Sequence, residues 1–127
     1  MRKLHIFIIS LFITIPCIAD DCFPQEHPDY QEWVIVGKPA CWCYLKQCYG
    51  DTNGASFFGK PVTLSDLNLF KAAFNQSELP EGGICADLDH SSFFGKRVTL
   101  GDLNIFKQYF DLPESQVPDC FDIIIPH

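Results

Sequence analysis

A segment of 24 residues occurs twice in this chain of 127 residues, and this duplication constrains the fold more than any other feature. Residues 51–74 and 87–110 are offset by 36 residues and are identical at 15 of 24 positions. Each copy begins with loop-forming polar residues and continues with apolar residues at helical spacing. Repeats of this length are supersecondary units that bury their apolar faces against each other. The sequence therefore predicts two loop-helix units packed together.

The helical part of each copy places large apolar residues on one face. The spacing of i, i+3 and i+7 is typical of a helix with one buried side. These residues are Leu67, Phe70 and Phe74 in the first copy and Leu103, Phe106 and Phe110 in the second. Because neither helix can bury this face alone, we expect the two helices to pack antiparallel, Phe against Phe. Residues 75–83 are expected to break the first helix, and Pro113 to end the second.

The first 19 residues are typical of a secretory signal peptide. Arg2 and Lys3 precede an apolar run over residues 4–18, and Ala19 is a small residue at a position that a signal peptidase inspects. The apolar run is shorter than the roughly 20 residues that a membrane-spanning helix needs. The sequence therefore predicts a secreted protein that has lost residues 1–19.

Two regions follow the predicted signal peptide. Residues 20–47 form an amino-terminal segment rich in cysteine and proline, and residues 48–127 contain both repeats. Residues 28–34 predict a short helix in the first region, with Tyr30 and Trp33 on one face. We expect this segment to be a lid that packs on the repeats through aromatic contacts and disulfides. A ligand-binding role for its tryptophans is the alternative.

Charge and cysteine content limit the partners and the compartment. Without Arg2 and Lys3, the chain has 7 basic and 16 acidic residues and a net charge of about −9 (7 minus 16). Nucleic acids and anionic membranes are therefore poor partners.

Six cysteines remain after signal cleavage, and an even number in an oxidising compartment predicts three disulfides. If the repeats pack about a pseudo-twofold axis, Cys48 and Cys120 lie close together and are expected to pair.

The repeated loops carry oxygen-bearing side chains at the spacing of calcium ligands. Helix-loop-helix calcium sites take ligands from loop positions one, three and five, from a backbone carbonyl and from an acidic residue at the last position. The predicted Ca²⁺ ligands are Asp51, Asn53 and Asp66 in the first loop and Asp87, Asp89, Ser91 and Asp102 in the second. The fifth position of the first loop is Ala55. We expect the second loop, with three carboxylates against two, to bind calcium more tightly.

Both loops are longer than a usual calcium loop. Each spans 16 residues from its first to its last predicted ligand, against about 12 in the usual loop. The extra residues are Phe57, Phe58, Gly59 and Lys60 in the first copy and Phe93, Phe94, Gly95 and Lys96 in the second. We expect these aromatic side chains to pack over the core, and an exposed contact surface is the alternative. The carbonyl ligand is expected near Lys60 or Pro61 in the first loop and near Lys96 or Arg97 in the second.

A structural interpretation of the last acidic position is also available. Thr63 precedes Asp66 by three residues, and Thr99 precedes Asp102 in the same way, which is the pattern of a helix capping box. An acidic residue in the first turn also interacts favourably with the helix dipole. Capping and calcium binding are compatible, and capping alone does not explain the polar residues at the loop starts.

Catalysis and zinc binding have weaker support from the sequence. The histidines outside the predicted signal peptide are His27, His90 and His127, and none is repeated at the equivalent position. Proximity of a histidine to a serine in sequence does not make a catalytic triad. Cys41, Cys43 and Cys48 lack a common zinc-finger spacing, and an oxidising compartment favours disulfides over thiolate ligands. We therefore predict a protein that is not an enzyme.

The two units resemble a type I dockerin domain over roughly residues 48–111. The resemblance rests on the Asp-x-(Asn/Asp) loop start and the Asp-Leu-Asn-x-Phe-Lys helix start in both copies. It implies a mainly α fold built from an EF-hand-like pair with two calcium sites, and docking to a partner module, which in that family is a cohesin. The implied partner-binding positions are Leu64, Ser65 and Lys71 in the first copy and Leu100, Gly101 and Lys107 in the second.

Two function classes therefore remain. The first is a secreted calcium-binding module that associates with an extracellular protein, cohesin-like or unrelated, or with a polysaccharide. The second is a disulfide-stapled inhibitor, toxin or effector in which the repeats are purely structural. Only the second would keep both its fold and its activity in a calcium chelator.

Overall fold

The computed structural model describes residues 21–121. The predicted signal peptide and residues 122–127 lie outside the described residues. Within residues 21–121 the regular structure is helical, which confirms a mainly α fold. It consists of α1 (Tyr30–Ile35), α2 (Leu64–Ala73) and α3 (Leu100–Tyr109), with short 3₁₀ helices at Ala40–Cys43, Gln47–Tyr49, Gly83–Ala86 and Glu114–Gln116. No helix in this part of the chain has the length and apolar character needed to cross a membrane.

The amino-terminal segment folds around its aromatic residues. The short helix predicted at residues 28–34 is observed as α1, and the rings of Tyr30 and Trp33 lie 5.8 Å apart. Trp33 and Trp42 are buried with Phe23, and the Trp42 indole N–H donates to the Ile84 carbonyl over 2.9 Å. The tryptophans are therefore packing residues, as the lid interpretation expected.

Helices α2 and α3 meet through a pair of phenylalanines. The buried rings of Phe70 and Phe106 stack with their centroids 5.4 Å apart, as predicted. The Asn75 N–H, just after α2, donates to the Val98 carbonyl over 2.8 Å, close to the start of α3. Asp111, just after α3, donates in the same way to Val62 over 3.0 Å. The end of each helix therefore lies beside the start of the other.

An extended residue followed by a left-handed residue ends each of these two helices. Phe74 and Phe110 have ψ values of 126° and 132°, which leave the helical region. Asn75 and Asp111, which follow them, have φ values of 58° and 62°. The prediction that Pro113 ends the second helix is therefore wrong by a few residues, since α3 ends at Tyr109 and Pro113 precedes the last 3₁₀ helix. Asparagine and aspartate tolerate the left-handed region better than most residues, which explains why they occupy these positions.

Three disulfides join the segments of the fold. The pairs are Cys22–Cys43, Cys41–Cys85 and Cys48–Cys120. The Cys48–Cys120 pair is the pairing that the sequence analysis predicted. Because Cys41, Cys43 and Cys48 are all oxidised, the zinc-thiolate alternative is excluded for these residues. Three disulfides are typical of an oxidising environment.

The extra loop residues form exposed tips, so the prediction that they pack over the core is wrong. Phe58 and Phe94 are 85% and 87% exposed, and Phe57 and Phe93 are also exposed. Each tip is a two-residue turn closed by paired backbone hydrogen bonds, such as Phe57 with Lys60. Both central residues of each turn have positive φ, as in a type I′ hairpin turn. A turn that projects from the loop directs its side chains into solvent.

Candidate metal centre

The second loop brings three carboxylates together. Asp87, Asp89 and Asp102 each offer an oxygen, and the three oxygens lie within 4.8 Å of one another. Asp87 directly follows the 3₁₀ helix Gly83–Ala86, and Asp102 lies in the first turn of α3. Clustered carboxylate oxygens are ligands that hard cations prefer. The structure therefore assembles three of the four ligands predicted for this loop into a group that could hold a metal ion.

Asp87 is the most deeply buried carboxylate of this group without full hydrogen bonding. It is fully buried, and its Oδ1 is the buried side-chain oxygen in residues 21–121 that has no hydrogen-bond partner. Burial, followed by the nearby carboxylates of Asp102 and Asp89, raises the pKa of Asp87 to about 9. A buried polar atom without a partner is costly. A cation would satisfy this oxygen, so the residues fit a metal ion.

Asp102 anchors the loop as well as contributing to the group. Its Oδ1 accepts the backbone N–H groups of Leu88 and Asp89 over 2.7 and 3.1 Å. Its Oδ2 accepts the Thr99 N–H over 2.8 Å, which is part of the predicted capping box. Burial raises the pKa of Asp102 to about 6, and the Thr99 and Asp89 N–H groups oppose this shift. The capping interpretation is therefore confirmed for this residue.

Asp89 lies at the exposed side of the group. Its Oδ1 accepts the N–H and hydroxyl of Ser91 over 3.0 and 2.8 Å. The Ser91 hydroxyl, a predicted ligand, therefore donates a hydrogen bond to another predicted ligand. A Cβ at Gly101 would lie 2.9 Å from Asp89 Oδ2, so the absence of a side chain at Gly101 leaves room for this carboxylate.

The first loop repeats these contacts with less charge. Asp66 is buried and accepts the N–H groups of Thr52 and Thr63, each over 2.8 Å. Asp51 is also buried, and burial together with the Asp66 carboxylate raises its pKa to about 6. Asn53 is exposed and accepts the N–H of Ala55 over 2.9 Å. This loop therefore has two carboxylates at positions where the second loop has three.

The carbonyl ligands suggested by the sequence are partly engaged elsewhere. Lys60 O accepts the Phe57 N–H over 2.9 Å, and Lys96 O accepts the Phe93 N–H at the same distance. These two carbonyls close the exposed turns. The prediction that a carbonyl near Pro61 or Arg97 completes each site stays a prediction.

A buried network that the sequence analysis missed supports the second loop. Gln47 donates from Nε2 to the Asp87 carbonyl over 3.0 Å, and its Oε1 lies 2.7 Å from His90 Nε2. His90 Nδ1 lies 2.9 Å from Asp29 Oδ2, and the imidazole stacks on Trp42. Burial lowers the pKa of His90, and the Asp29 carboxylate opposes this shift. The amino-terminal segment therefore holds the second loop directly.

Arg97 contacts this site through its side chain, whereas the sequence analysis considered only a backbone carbonyl at or near this position. Its guanidinium lies 3.4 Å from Asp87 Oδ2 and pairs with Glu32 of α1. His90 and Arg97 stand where the first copy has Gly54 and Pro61. Differences between the two copies are therefore the sequence signal that could have identified the side-chain roles of both residues.

Two apolar grooves flank the loops and contain several of the predicted partner-binding positions. The first groove, of about 320 Å³, is lined by Phe57, Phe58, Leu64, Ser65 and Phe110, among others. The second groove, of about 540 Å³, is lined by Phe74, Phe93, Phe94, Leu100 and Gly101, among others. Asp89 also lines the second groove, which places that groove next to the carboxylate group. Lys71 and Lys107 are exposed on the helices but are not lining residues.

Comparison with known proteins identifies no relative of this chain. No protein-family model matches it, and neither a curated protein nor a solved structure does. The resemblance to dockerins therefore rests on the residues of the two repeats alone.

Proposed function

We propose that this protein is a secreted calcium-binding module of the dockerin-like, EF-hand-like type that associates with an extracellular partner and is not an enzyme. The observation that carries the proposal is the cluster of Asp87, Asp89 and Asp102 around a buried oxygen that lacks a hydrogen-bond partner. An all-oxygen ligand set favours Ca²⁺ over zinc or copper, which prefer sites containing nitrogen or sulfur. The corresponding contacts of Asp66 support a second, less charged site in the first loop.

The apolar grooves support the docking part of the proposal. Phe58, Phe94, Leu64 and Leu100 are all more than half exposed, and exposed apolar surface of this kind is typical of interaction sites. Residues 21–121 contain 7 basic and 14 acidic residues, a net charge of −7 (7 minus 14). The occupant that this surface fits best is therefore an extracellular protein, cohesin-like or unrelated, with an apolar ridge flanked by basic residues.

A polysaccharide is the second candidate partner. The exposed rings of Phe58 and Phe94 support it, since flat exposed rings can stack on sugars. Direct binding of soluble polysaccharide to the protein, measured beside binding of a protein partner, distinguishes the two partner classes.

The proposal that the protein is not an enzyme is supported by His90, whose two ring nitrogens face Asp29 and Gln47 inside the fold.

Thermal unfolding in calcium and in chelator tests the calcium proposal. A ligand that binds only the folded state at 100 times its Kd stabilises it by about 2.7 kcal/mol. We expect a rise in Tm in millimolar calcium, and no rise when both Asp87→Asn and Asp51→Asn are present. An unchanged Tm in calcium would favour the alternative function, a disulfide-stapled inhibitor, toxin or effector.

A further inference from the structure

Arg97 connects the second carboxylate group to the amino-terminal helix. Its Nη1 lies 3.4 Å from Asp87 Oδ2, and its Nη2 forms an ion pair with Glu32 Oε1 in α1. The Asp87 side chain is fully buried, and the side chains of Arg97 and Glu32 are 20% and 32% exposed. A guanidinium this close to a buried carboxylate interacts with it strongly, because little solvent screens the pair.

We propose that Arg97 is an affinity-determining residue of the second site: a built-in positive charge that competes with the metal ion for Asp87 and is restrained by Glu32. This inference rests on the proposed calcium binding. It deepens that proposal by naming the residues that set the affinity of one site.

The direction of the effect follows from charge. A divalent cation that displaces one proton from the carboxylates still makes the site more positive by one charge. Arg97 therefore opposes cation binding whether or not Asp87 is protonated beforehand. Glu32 offsets part of this repulsion, because its carboxylate holds the other side of the guanidinium.

The two loops differ at this point. The first loop has Pro61 where the second has Arg97, and it has two carboxylates where the second has three. With every carboxylate ionised, as cation binding requires, adding the Arg97 charge to the three carboxylates gives a formal charge of −2, which equals that of the two carboxylates in the first loop. Arg97 therefore reduces the difference in calcium affinity between the two loops that their carboxylates alone would create.

Calorimetric titration of the oxidised protein with calcium chloride tests this inference. We expect Arg97→Gln to tighten binding at the second site by about three- to tenfold, and Glu32→Gln to weaken it by a similar factor. A purely structural ion pair predicts the same direction for both substitutions, since both break the same contact. Lys38→Gln, at an exposed ion pair with Asp21, is the matched control for loss of one positive charge, and it should change the Kd by less than about twofold.

The outcomes separate this inference from the proposed function. Calcium binding by the wild type with no change or weakening in Arg97→Gln overturns only the role of Arg97. Absence of binding in the wild type and in every variant overturns both. Arg97→Lys keeps the charge and should stay closer to the wild type than Arg97→Gln does, which provides a second test if the glutamine variant folds poorly. If Arg97→Lys bound calcium as tightly as Arg97→Gln, and both bound it more tightly than the wild type, the charge argument would be contradicted.

Discussion

The carboxylate of Asp102 accepts the backbone N–H of Leu88 over 2.7 Å. This hydrogen bond joins the first turn of α3 to the start of the second loop, 14 residues earlier in the chain. Asp66 makes the corresponding bond to Thr52. The last acidic residue of each loop is therefore a structural anchor before any cation is considered, and this affects how calcium binding is tested.

Removal of this anchor is expected to destabilise the protein even without calcium. Asp102→Ala deletes a buried acceptor of three backbone N–H groups, and the cost is about 3 kcal/mol of unfolding free energy. Denaturant unfolding in chelator measures it. Asp89→Asn, an exposed residue of the same group, is the control and should cost less than about 1 kcal/mol. Equal stability of Asp102→Ala and the wild type would show that the anchor contributes little.

The pH dependence of stability without calcium follows from Asp87. Its folded pKa of about 9 is raised from 3.8, so the folded state retains a proton that the unfolded state loses. The stabilisation that this proton provides is complete below 3.8 and is lost as pH rises towards about 9. We expect the unfolding free energy in chelator to be lower at pH 8.5 than at pH 6. Asp87→Asn should flatten this dependence, and a wild-type stability that rises over the same interval would contradict the assignment.

The exposed turns should tolerate substitution better than their aromatic character suggests. Phe94 has a φ of 49° and is 87% exposed, so Phe94→Asn relieves backbone strain with little loss of packing. We expect an increase in unfolding free energy of about 0.5 kcal/mol. Phe106→Ala in the stacked core should instead cost about 3–5 kcal/mol. A loss above 1 kcal/mol in Phe94→Asn would mean that this ring packs on the fold.

The disulfide that closes the longest loop should contribute most to stability. Cys48 and Cys120 are 72 residues apart, against 21 for Cys22 and Cys43. Loop-closure entropy predicts about 4 kcal/mol for the long loop and about 3 kcal/mol for the short one. Paired substitution of each disulfide by serine, followed by thermal unfolding, checks this order. A lower Tm after loss of Cys22–Cys43 than after loss of Cys48–Cys120 would contradict it.

The sequence predicted those features that depend on local pattern and on the duplication. Apolar spacing predicted α2, α3 and the packing of phenylalanine against phenylalanine between them, which is observed for Phe70 and Phe106. The pseudo-twofold predicted Cys48–Cys120. These predictions were possible because the helical spacing of apolar residues and the offset between the two repeats can both be read directly from the amino-acid sequence.

Long-range and backbone features could not be predicted in the same way. The contacts of His90 with Gln47 and Asp29 join residues 43 and 61 positions apart, and no periodic pattern encodes them. The exposed position of Phe58 depends on a turn with positive φ at a residue that rarely adopts it. The hydrophobic character of phenylalanine therefore favoured the wrong prediction of a core position.

Calcium titration by calorimetry of the oxidised wild type, Asp51→Asn and Asp87→Asn tests the central claim most directly. We predict two binding events in the wild type, with the tighter one lost in Asp87→Asn and the weaker one lost in Asp51→Asn. Neither substitution removes the Asp66 or Asp102 anchor, so the fold should persist in both variants. Absence of calcium binding by the folded wild type at millimolar concentration would contradict the claim and leave both acidic loops with a structural role alone.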